Sequence, residues 1–348
     1  MNISAIQQTV KTAFTQQTTL QLIGGNSKKF YGREISGAVL NISEYQGILN
    51  YEPSELVITA RAGTPLSEII ATLAEKNQCL AFEPPIFSTT ATLGGTIATG
   101  FSGPARPYLG AARDFVLGVK CLNGKGEVLN FGGQVMKNVA GYDVSRLMVG
   151  ALGTLGVLLE ISCKVLPLPC ETETIRLPVE SEAQALALFL KYTRENFPMT
   201  ASCFKDNTVY LRFAGANLTA VRNKITGVTA EGEQFWQQLR DHQLDFFQTN
   251  QPIWRLSVPA TTPPLLLKGE SLIEWGGALR WLRSRLSAQT IRETVAAVGG
   301  HAILFKGGDR QGEIFHPLPR NLEMLHQRLK YQFDPHNILN RNKMYATW

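Results

Sequence analysis

The sequence predicts an α+β protein of two domains, and three observations lead to that fold class. Candidate helices and candidate strands alternate irregularly along 348 residues, a length that exceeds one ordinary hydrophobic core. Glycine-rich segments are frequent up to Pro169 and rarer beyond it. Longer helical patterns begin after the same residue. We therefore predict a first domain over 1–169, a second, smaller α+β domain over 170–318, and a C-terminal helix and segment over 319–348.

Short periodic segments make up the first domain. A helix begins after Ser4, and Thr64 is the predicted N-cap of a second helix with Pro65 at its first position. A hairpin joins a strand over 115–122 to a strand over 127–131 through a turn rich in glycine. The other predicted elements are strands over 20–23, 38–42, 56–60 and 155–166 and a short helix over 143–149.

Residues 84–110 differ from these elements, because small residues dominate and large apolar residues are sparse. A long irregular stretch inside a compact domain is usually a binding loop, and we predict one here. Arg106 lies in this loop. It faces an anionic ligand in one interpretation and is a solvated loop arginine in the other.

Helices dominate the second half of the chain. One helical pattern ends at Gly299-Gly300, a normal C-terminal glycine stop. The predicted helices cover 182–195, 231–242, 288–298 and 320–333, and the predicted strands include 209–213 and 302–305. Alternating elements of both kinds predict an α+β domain.

Composition limits the classes of function. The net charge is +6, but lysine and arginine are scattered, so an anionic ligand or an acidic partner surface fits better than nucleic acid. No apolar run approaches the roughly 20 residues needed to cross a bilayer, and no secretory signal is visible at Met1. We therefore predict a cytoplasmic protein without direct membrane insertion.

The cysteines show neither a metal motif nor a redox motif. Their number is odd and no two are separated by only two residues; they are Cys79, Cys121, Cys163, Cys170 and Cys203. We expect reduced, buried thiols, no metal site and no iron–sulfur cluster in this chain.

Three glycine clusters fall within the first predicted domain. They are Gly24-Gly25-Asn26-Ser27, directly after a strand, the segment 93–103, and the segment 150–157 that leads into a strand. Glycines let a backbone approach a ligand closely and expose consecutive N–H groups that bind phosphate oxygens. The first two clusters match neither the dinucleotide fingerprint nor the Walker A loop. A single cluster could be an ordinary β-turn, but three suggest a large cofactor lying along the backbone.

The three clusters also resemble those of a known superfamily. Residues 24–27 are similar to the diphosphate loop of the vanillyl-alcohol-oxidase flavoproteins, residues 92–100 to their second FAD-contacting segment, and residues 153–157 to their third. The resemblance implies a PCMH-type FAD-binding domain of two subdomains, followed by a smaller α+β cap domain. Residues 333–340 resemble the closing segment that returns to the FAD-binding domain, although Arg341-Asn342 stand where the family usually has Pro-Gly.

The resemblance assigns residues to parts of FAD. It places Gly24, Gly25, Asn26 and Ser27 on the diphosphate, Thr92, Gly94, Gly95, Ala98 and Gly103 along the flavin and its ribityl chain, and Gly153, Thr154, Gly156 and Val157 near the adenine or the diphosphate. Asn26 stands in the stretch where related families attach flavin covalently, and no histidine precedes His242. We therefore expect non-covalent FAD.

A narrower resemblance covers nearly the whole chain. The segments that carry it are 115–118, 131–133, 135–143, 235–240, 275–282 and 299–302. They are similar to the FAD-binding subunit of bacterial glycolate oxidases, the GlcE type. This resemblance implies two partners, a catalytic flavoprotein subunit and an iron–sulfur subunit, and a small 2-hydroxy acid as the substrate of the complex.

The histidines of this chain match the catalytic relatives poorly. The sister subunit carries a His-x-Gly-Asp-Gly-Asn-x-His motif, whereas residues 301–309 lack its asparagine and its second histidine. His301 is a weak catalytic candidate, and a structural histidine is the alternative. His242, His316, His326 and His336 are expected at the surface or in loops.

Three functions follow as hypotheses. The first is an FAD-holding subunit of a glycolate (2-hydroxy acid) oxidase complex that relays electrons or stabilises the assembly, with membrane attachment only through partners. The second is a stand-alone FAD-dependent 2-hydroxy acid dehydrogenase. The third is a structural subunit that binds no FAD.

Overall fold

Residues 1–133, 143–230 and 232–348 are described by a computed structural model, and they form four β-sheets with helices packed around them. The segment 135–142, which contributes to the narrower family resemblance, lies outside the described residues. The helices are α1 (Ile3–Gln16), α2 (Leu66–Ala74), α3 (Leu93–Thr99), α4 (Arg106–Leu109), α5 (Ala112–Phe115), α6 (Val144–Met148), α7 (Glu182–Arg194), α8 (Thr219–Lys224), α9 (Gly232–Arg240), α10 (Ala288–Ala296) and α11 (Arg320–Phe333).

The strands alternate with these helices. They are β1 (Leu20–Ile23), β2 (Ala38–Asn41), β3 (Ile48–Glu52), β4 (Val57–Arg61), β5 (Gln78–Cys79), β6 (Val116–Leu122), β7 (Val128–Gly132), β8 (Val157–Lys164), β9 (Leu166–Pro167), β10 (Glu171–Pro178), β11 (Met199–Lys205), β12 (Thr208–Gly215), β13 (Val228–Ala230), β14 (Ile253–Ser257), β15 (Glu270–Glu274), β16 (Leu279–Arg283) and β17 (His301–Lys306). Strands and helices are therefore mixed along the chain, which confirms the predicted α+β class.

Two sheets of the N-terminal half flank the glycine clusters. Five antiparallel strands in the order β3-β4-β8-β6-β7 form the larger one, and β1 and β2 pair in parallel to form the smaller one. The apolar faces of α1 and α2 are fully buried against them at Ile6, Val10, Leu66 and Ile69. Burial of each such side chain contributes about 1.5–3 kcal/mol, so these helices stabilise the N-terminal half of the fold.

The C-terminal segment returns to this half of the chain. The Leu20 amide donates a hydrogen bond to the Ile338 carbonyl oxygen over 2.7 Å, and Leu20 bridges to Leu339 in parallel. Ile338 and Leu339 are buried in the core shared by α1 and α2. Residues far apart in the sequence therefore complete the small sheet that precedes the first glycine cluster.

An eight-stranded antiparallel sheet takes all its strands from residues 171–306. Its order is β13-β10-β12-β11-β15-β16-β14-β17. Within it, Arg255 on β14 lies opposite Trp281 on β16, and Glu274 on β15 lies opposite Leu279. Successive side chains of a strand point to opposite faces, so this register brings an arginine, a glutamate and a tryptophan to one face. The division at 169 and 318 stays a prediction.

Two predicted helix starts are wrong, by one residue for α2 and by two residues for α1. Pro65 occupies the N-cap position of α2 without a side-chain hydrogen bond. The Thr64 hydroxyl instead accepts a hydrogen bond from the Gly47 amide over 2.9 Å and joins two loops. The first helix begins before Ser4, because Asn2 is its N-cap and accepts from the Ala5 amide. A polar side chain caps only α1, where Asn2 takes the role; at α2 the hydroxyl that could cap the helix is used by the Gly47 amide.

The predicted irregular loop over 84–110 contains two helices, α3 and α4. Thr92 caps α3 by accepting a hydrogen bond from the Gly95 amide, and Gly100 ends it with a φ of 62°. Adjacent glycines have low helix propensity, which hid this helix in the sequence. Tertiary packing stabilises it, because a side chain at Gly94 would collide with Ala62.

Among residues 1–133, 143–230 and 232–348, no helix is both long and apolar enough to cross a bilayer, and no cluster of three metal-ligating side chains occurs. All five cysteines are free; Cys170 is exposed, contrary to the expectation of burial, and Cys79 is half-buried.

Candidate functional site

The three glycine clusters meet at one cavity of about 970 Å³, a volume that includes its open mouth. Eleven of the thirteen residues predicted to hold the cofactor line this cavity; they are Gly24, Gly25, Asn26, Ser27, Thr92, Gly94, Gly95, Ala98, Gly153, Gly156 and Val157. Gly103 and Thr154 do not line it. We call it the first cavity.

The loop after β1 is held tightly against the segment before α3. The Thr90 hydroxyl donates a hydrogen bond to the Gly25 carbonyl oxygen over 2.6 Å. A Cβ atom at Gly25 would fall almost on the carbonyl oxygen of Thr90, and one at Gly24 would lie 2.5 Å from the Thr92 hydroxyl. Glycine is therefore required at both positions by close backbone approach.

The third cluster is tied to β1 by Asn340. The Asn340 side chain accepts from the Leu22 amide over 2.8 Å and donates to the Leu152 carbonyl oxygen over 2.6 Å. Thr154 lies behind the cavity wall, where its carbonyl oxygen accepts a hydrogen bond from the Lys330 ammonium. Thr154, which was predicted to lie near the adenine or the diphosphate, therefore does not line the first cavity.

Three lysines, Lys28, Lys29 and Lys343, bring positive charge to the first cavity. The Lys28 ammonium is fully covered, yet it has no hydrogen-bond partner within the described part of the chain. Burial lowers the pKa of Lys28 to about 8. Burial, with the nearby Arg310, also lowers the pKa of Lys343 to about 8. An unpaired buried ammonium is costly, and a phosphate oxygen would satisfy it.

A second cavity, of about 910 Å³ with its mouth, shares Tyr31 and Thr99 with the first. Gly103 lines this second cavity, where its carbonyl oxygen accepts a hydrogen bond from the Trp275 indole over 3.0 Å. The aromatic wall consists of Phe87, Phe101, His242, Trp275, Trp281 and Phe305, and the charged wall consists of Arg106, Arg113, Arg240, Arg255 and Glu274. The register of the eight-stranded sheet brings several of these side chains together.

The charged groups of the second cavity differ in their pairing. Arg240 forms an ion pair of 2.7 Å with Asp241. Arg106 and Arg255 both stack on Trp275, with guanidinium carbons 4.4 Å and 5.1 Å from the ring centre. Neither has a carboxylate within 4.0 Å in residues 1–133, 143–230 and 232–348. The wall thus carries uncompensated positive charge.

Glu274 is the buried acid of this cavity. One carboxyl oxygen accepts a hydrogen bond from the Trp281 indole over 2.7 Å. Burial raises the pKa of Glu274 to about 7. The group can therefore take up or release a proton near neutral pH, which is a property of groups that bind or transfer protons.

The structure gives the locations of two histidines, His242 and His301, that the sequence analysis considered. His242 lies in the turn after α9, as the loop alternative predicts, but it is half-buried, stacks on Phe247 at 4.0 Å and lines the second cavity; burial lowers its pKa to about 3, which keeps it neutral. His301 is exposed and lines neither cavity.

The sequence reasoning did not single out Arg255, Glu274 or Lys343. Arg255 had a usable signal, since it is the one charge in the apolar strand Ile253–Ser257. Glu274 and Lys343 have no comparable signal in the sequence around them.

The chain is similar to one family model and to several proteins of known name. The family model described as an FAD binding domain matches residues 1–132. The glycolate oxidase subunit GlcE of Escherichia coli (strain K12) is 45% identical over 344 residues, which cover 98% of this chain and 97% of that protein. The glycolate oxidase subunit GlcD of Bacillus subtilis (strain 168) is 33% identical over 141 residues, or 40% of this chain and 29% of that protein.

Two further proteins are similar at lower sequence identity or over a shorter part of the chain. A D-lactate dehydrogenase of Anaerostipes hadrus is 29% identical over 175 residues, which span 50% of this chain and 36% of that protein. The solved structure of an alkyldihydroxyacetonephosphate synthase superposes with a TM-score of 0.69 at 16% identity, covering 98% of this chain and 76% of that one. This last similarity concerns the fold alone.

Proposed function

The chain belongs to the family of the glycolate oxidase subunit GlcE, and from that premise we propose that it is the FAD-holding subunit of a glycolate (2-hydroxy acid) oxidase complex. The family is one of FAD-dependent oxidoreductases. The observation that carries the proposal is the first cavity, where three glycine clusters and the unpaired Lys28 ammonium converge. FAD, when bound, accepts hydride and passes electrons onward.

We assign the residues of the first cavity to parts of a non-covalent FAD. The loop Gly24-Gly25-Asn26-Ser27, with Lys28, would bind the diphosphate through backbone N–H groups and one ammonium. Thr92, Gly94, Gly95 and Ala98 would lie along the flavin and its ribityl chain, and Gly153, Gly156 and Val157 near the adenine or diphosphate. Gly103 and Thr154 would act indirectly, by shaping the second cavity and by holding Lys330.

The proposed complex has two further subunits. A catalytic flavoprotein would oxidise most of the 2-hydroxy acid, and an iron–sulfur subunit would take the electrons. This division of labour is supported by the incomplete histidine motif at residues 301–309. The proposed location is the cytoplasm, with membrane attachment made through the partners; the five free cysteines are consistent with a reducing compartment.

The test is an absorption spectrum of the purified chain after incubation with FAD and desalting. We expect a retained flavin peak, because the first cavity encloses the ligand with backbone and charge. Glycolate added without oxygen should leave that peak unbleached if oxidation takes place on the sister subunit. A colourless protein would contradict the proposal and favour a structural subunit.

Replacing Lys28 with methionine is expected to weaken FAD binding about tenfold or more, because a hydrogen bond to a charged group is lost. Since the pKa of Lys28 is lowered to about 8, its ammonium is charged below that pH and neutral above it. FAD affinity should therefore fall as pH rises from 7 to 9. Lys343 has a similarly lowered pKa, so the double variant Lys28→Met/Lys343→Met should lose most of this pH dependence.

The measurement is quenching of FAD fluorescence at each pH. Lys125→Met is a matched control, because Lys125 is exposed in the hairpin turn and lies outside the first cavity. Equal affinity for FAD in Lys28→Met and Lys125→Met would show that Lys28 does not bind the cofactor.

A second candidate function is a stand-alone FAD-dependent 2-hydroxy acid dehydrogenase. The observation that favours it is the second cavity, which holds Glu274 and the two arginines stacked on Trp275, and which shares Tyr31 and Thr99 with the first cavity. Anaerobic bleaching of the flavin peak by glycolate in the isolated chain would favour this function over the relay.

A further inference from the structure

We propose that the second cavity binds the carboxylate of a short 2-hydroxy or 2-oxo acid between Arg106 and Arg255, at a site formed entirely by this chain. The site goes beyond the proposed function, in which this chain holds FAD and the acid is oxidised elsewhere. It depends on the walls of the second cavity and not on the assignment of parts of FAD to the first.

The first argument is the contrast with the neighbouring arginines. Arg212, Arg240 and Arg280 each form an ion pair with a carboxylate, at 2.7, 2.7 and 3.3 Å respectively. Arg106 and Arg255 have no such partner in the described part of the chain, although both line the cavity. Of the four arginines that line the cavity, only Arg240 is paired; among the described residues Arg106, Arg113 and Arg255 have no carboxylate within 4.0 Å, and of these three Arg106 and Arg255 share the Trp275 ring.

The second argument is the position of those two charges. Both guanidinium groups stack on the same Trp275 ring, at 4.4 and 5.1 Å from its centre, so two like charges are held near one another. The Trp275 indole is itself fixed by its hydrogen bond to the Gly103 carbonyl oxygen. A carboxylate between the guanidinium groups would reduce their repulsion and satisfy their donors.

The third argument concerns the hydroxyl or oxo oxygen on the second carbon of the acid. Only one carboxyl oxygen of Glu274 accepts a hydrogen bond from the described residues, the one that contacts Trp281. The other oxygen can accept from a 2-hydroxyl group, or donate to a 2-oxo group when Glu274 is protonated. Phe87, Trp281 and Phe305 supply apolar wall for the carbon chain of the acid.

A pH dependence follows from the same geometry. Burial raises the pKa of Glu274 to about 7; the charged groups that face it are Arg255, which lowers it, and Glu83, which raises it and is paired with Arg212. Cys203, opposite Glu274 on β11, has a pKa raised by burial and stays a neutral thiol. Because Glu274 is neutral below pH 7 and negative above it, an anion should bind more tightly at pH 6 than at pH 8.

The experiment uses oxalate, which carries two adjacent carboxyl groups and is not oxidised by the flavin. Binding is followed by tryptophan fluorescence, since Trp275 and Trp281 line the cavity, in both the FAD-loaded and the FAD-free chain. We expect Arg255→Met and Arg106→Met each to weaken oxalate binding about tenfold or more. Arg194→Met, which removes the same charge from the exposed end of α7, should change it less than about twofold.

Further variants protect the test from folding defects. Arg255→Lys keeps the charge but not the planar fork, so it should bind oxalate with an affinity between those of the wild type and Arg255→Met. Glu274→Gln should remove the difference between pH 6 and pH 8. Circular dichroism and FAD content are measured on every variant.

The outcomes separate this inference from the proposed function. Retained FAD with no oxalate binding, or with binding that Arg255→Met and Arg106→Met leave unchanged, would refute the anion site while the FAD-holding function stands. Oxalate binding in a chain that holds no FAD would support the anion site and refute the FAD-holding function.

Discussion

Replacing Gly25 with alanine is expected to abolish retention of FAD and to destabilise the fold by about 3 kcal/mol or more, the upper range for an overpacked position. A Cβ atom is fixed to the backbone, so it cannot rotate away from the Thr90 carbonyl oxygen that it would meet. The loop after β1 must move instead, which breaks the hydrogen bond from the Thr90 hydroxyl to Gly25. The ratio of flavin to protein absorbance after desalting and a urea unfolding curve measure the two effects.

Gly215→Ala is the matched control for Gly25→Ala. Its added Cβ would meet nothing closer than 3.9 Å, so FAD retention should be unchanged. A Gly25→Ala protein that keeps its flavin and its unfolding midpoint would show that the close approach to Thr90 is not required.

Replacing Asp334 with alanine is expected to lower the free energy of unfolding by about 3–5 kcal/mol, the cost of leaving a buried partner charge unpaired. The Lys330 ammonium lies 2.6 Å from the Asp334 carboxylate, and both side chains are at most 4% exposed. Asp334 also accepts hydrogen bonds from the Ile338 and Leu339 amides, so its loss frees the start of the returning segment. Urea denaturation followed by circular dichroism measures the change.

Glu195→Ala tests whether burial is the reason for the large loss of stability expected for Asp334→Ala. Lys191 and Glu195 have the same spacing as Lys330 and Asp334, but they lie 4.0 Å apart and are 56% and 40% exposed. Removing that pair should cost less than about 0.5 kcal/mol. The double variant Lys330→Met/Asp334→Ala should recover part of the loss, because no buried charge remains. Similar costs for Asp334→Ala and Glu195→Ala would refute the buried ion pair as a stabilising element.

Periodic patterns made most of the local structure predictable from the sequence. The helix over Arg320–Phe333 has the predicted bounds, and the hairpin of β6 and β7 lies where its glycine turn indicated. Failures occurred where packing overrides propensity. α3 contains Gly94 and Gly95, and its stability comes from close packing on Ala62 rather than from helix propensity.

The candidate site shows the same contrast between features that local patterns predict and features that packing decides. Glycine clusters are local signals, and their order predicted most of the wall of the first cavity. Gly103 and Thr154 belong to the same clusters, but the structure turns Gly103 toward the second cavity and Thr154 toward Lys330. Chain neighbours of a binding residue need not face the ligand, because backbone direction changes within two or three residues in a loop.

The sequence by itself determined the α+β class, the family and the glycine-lined site, because these rest on short motifs whose chemistry is local. Only the tertiary structure decided that Lys28 is covered and unpaired, and that Arg106, Arg255 and Glu274 meet in one cavity. The physical reason is that burial and charge pairing depend on which strands lie side by side. Arg106 and Arg255 come together through the packing of α4 beside the eight-stranded sheet and the register of β14 within it, and no local sequence pattern encodes that register.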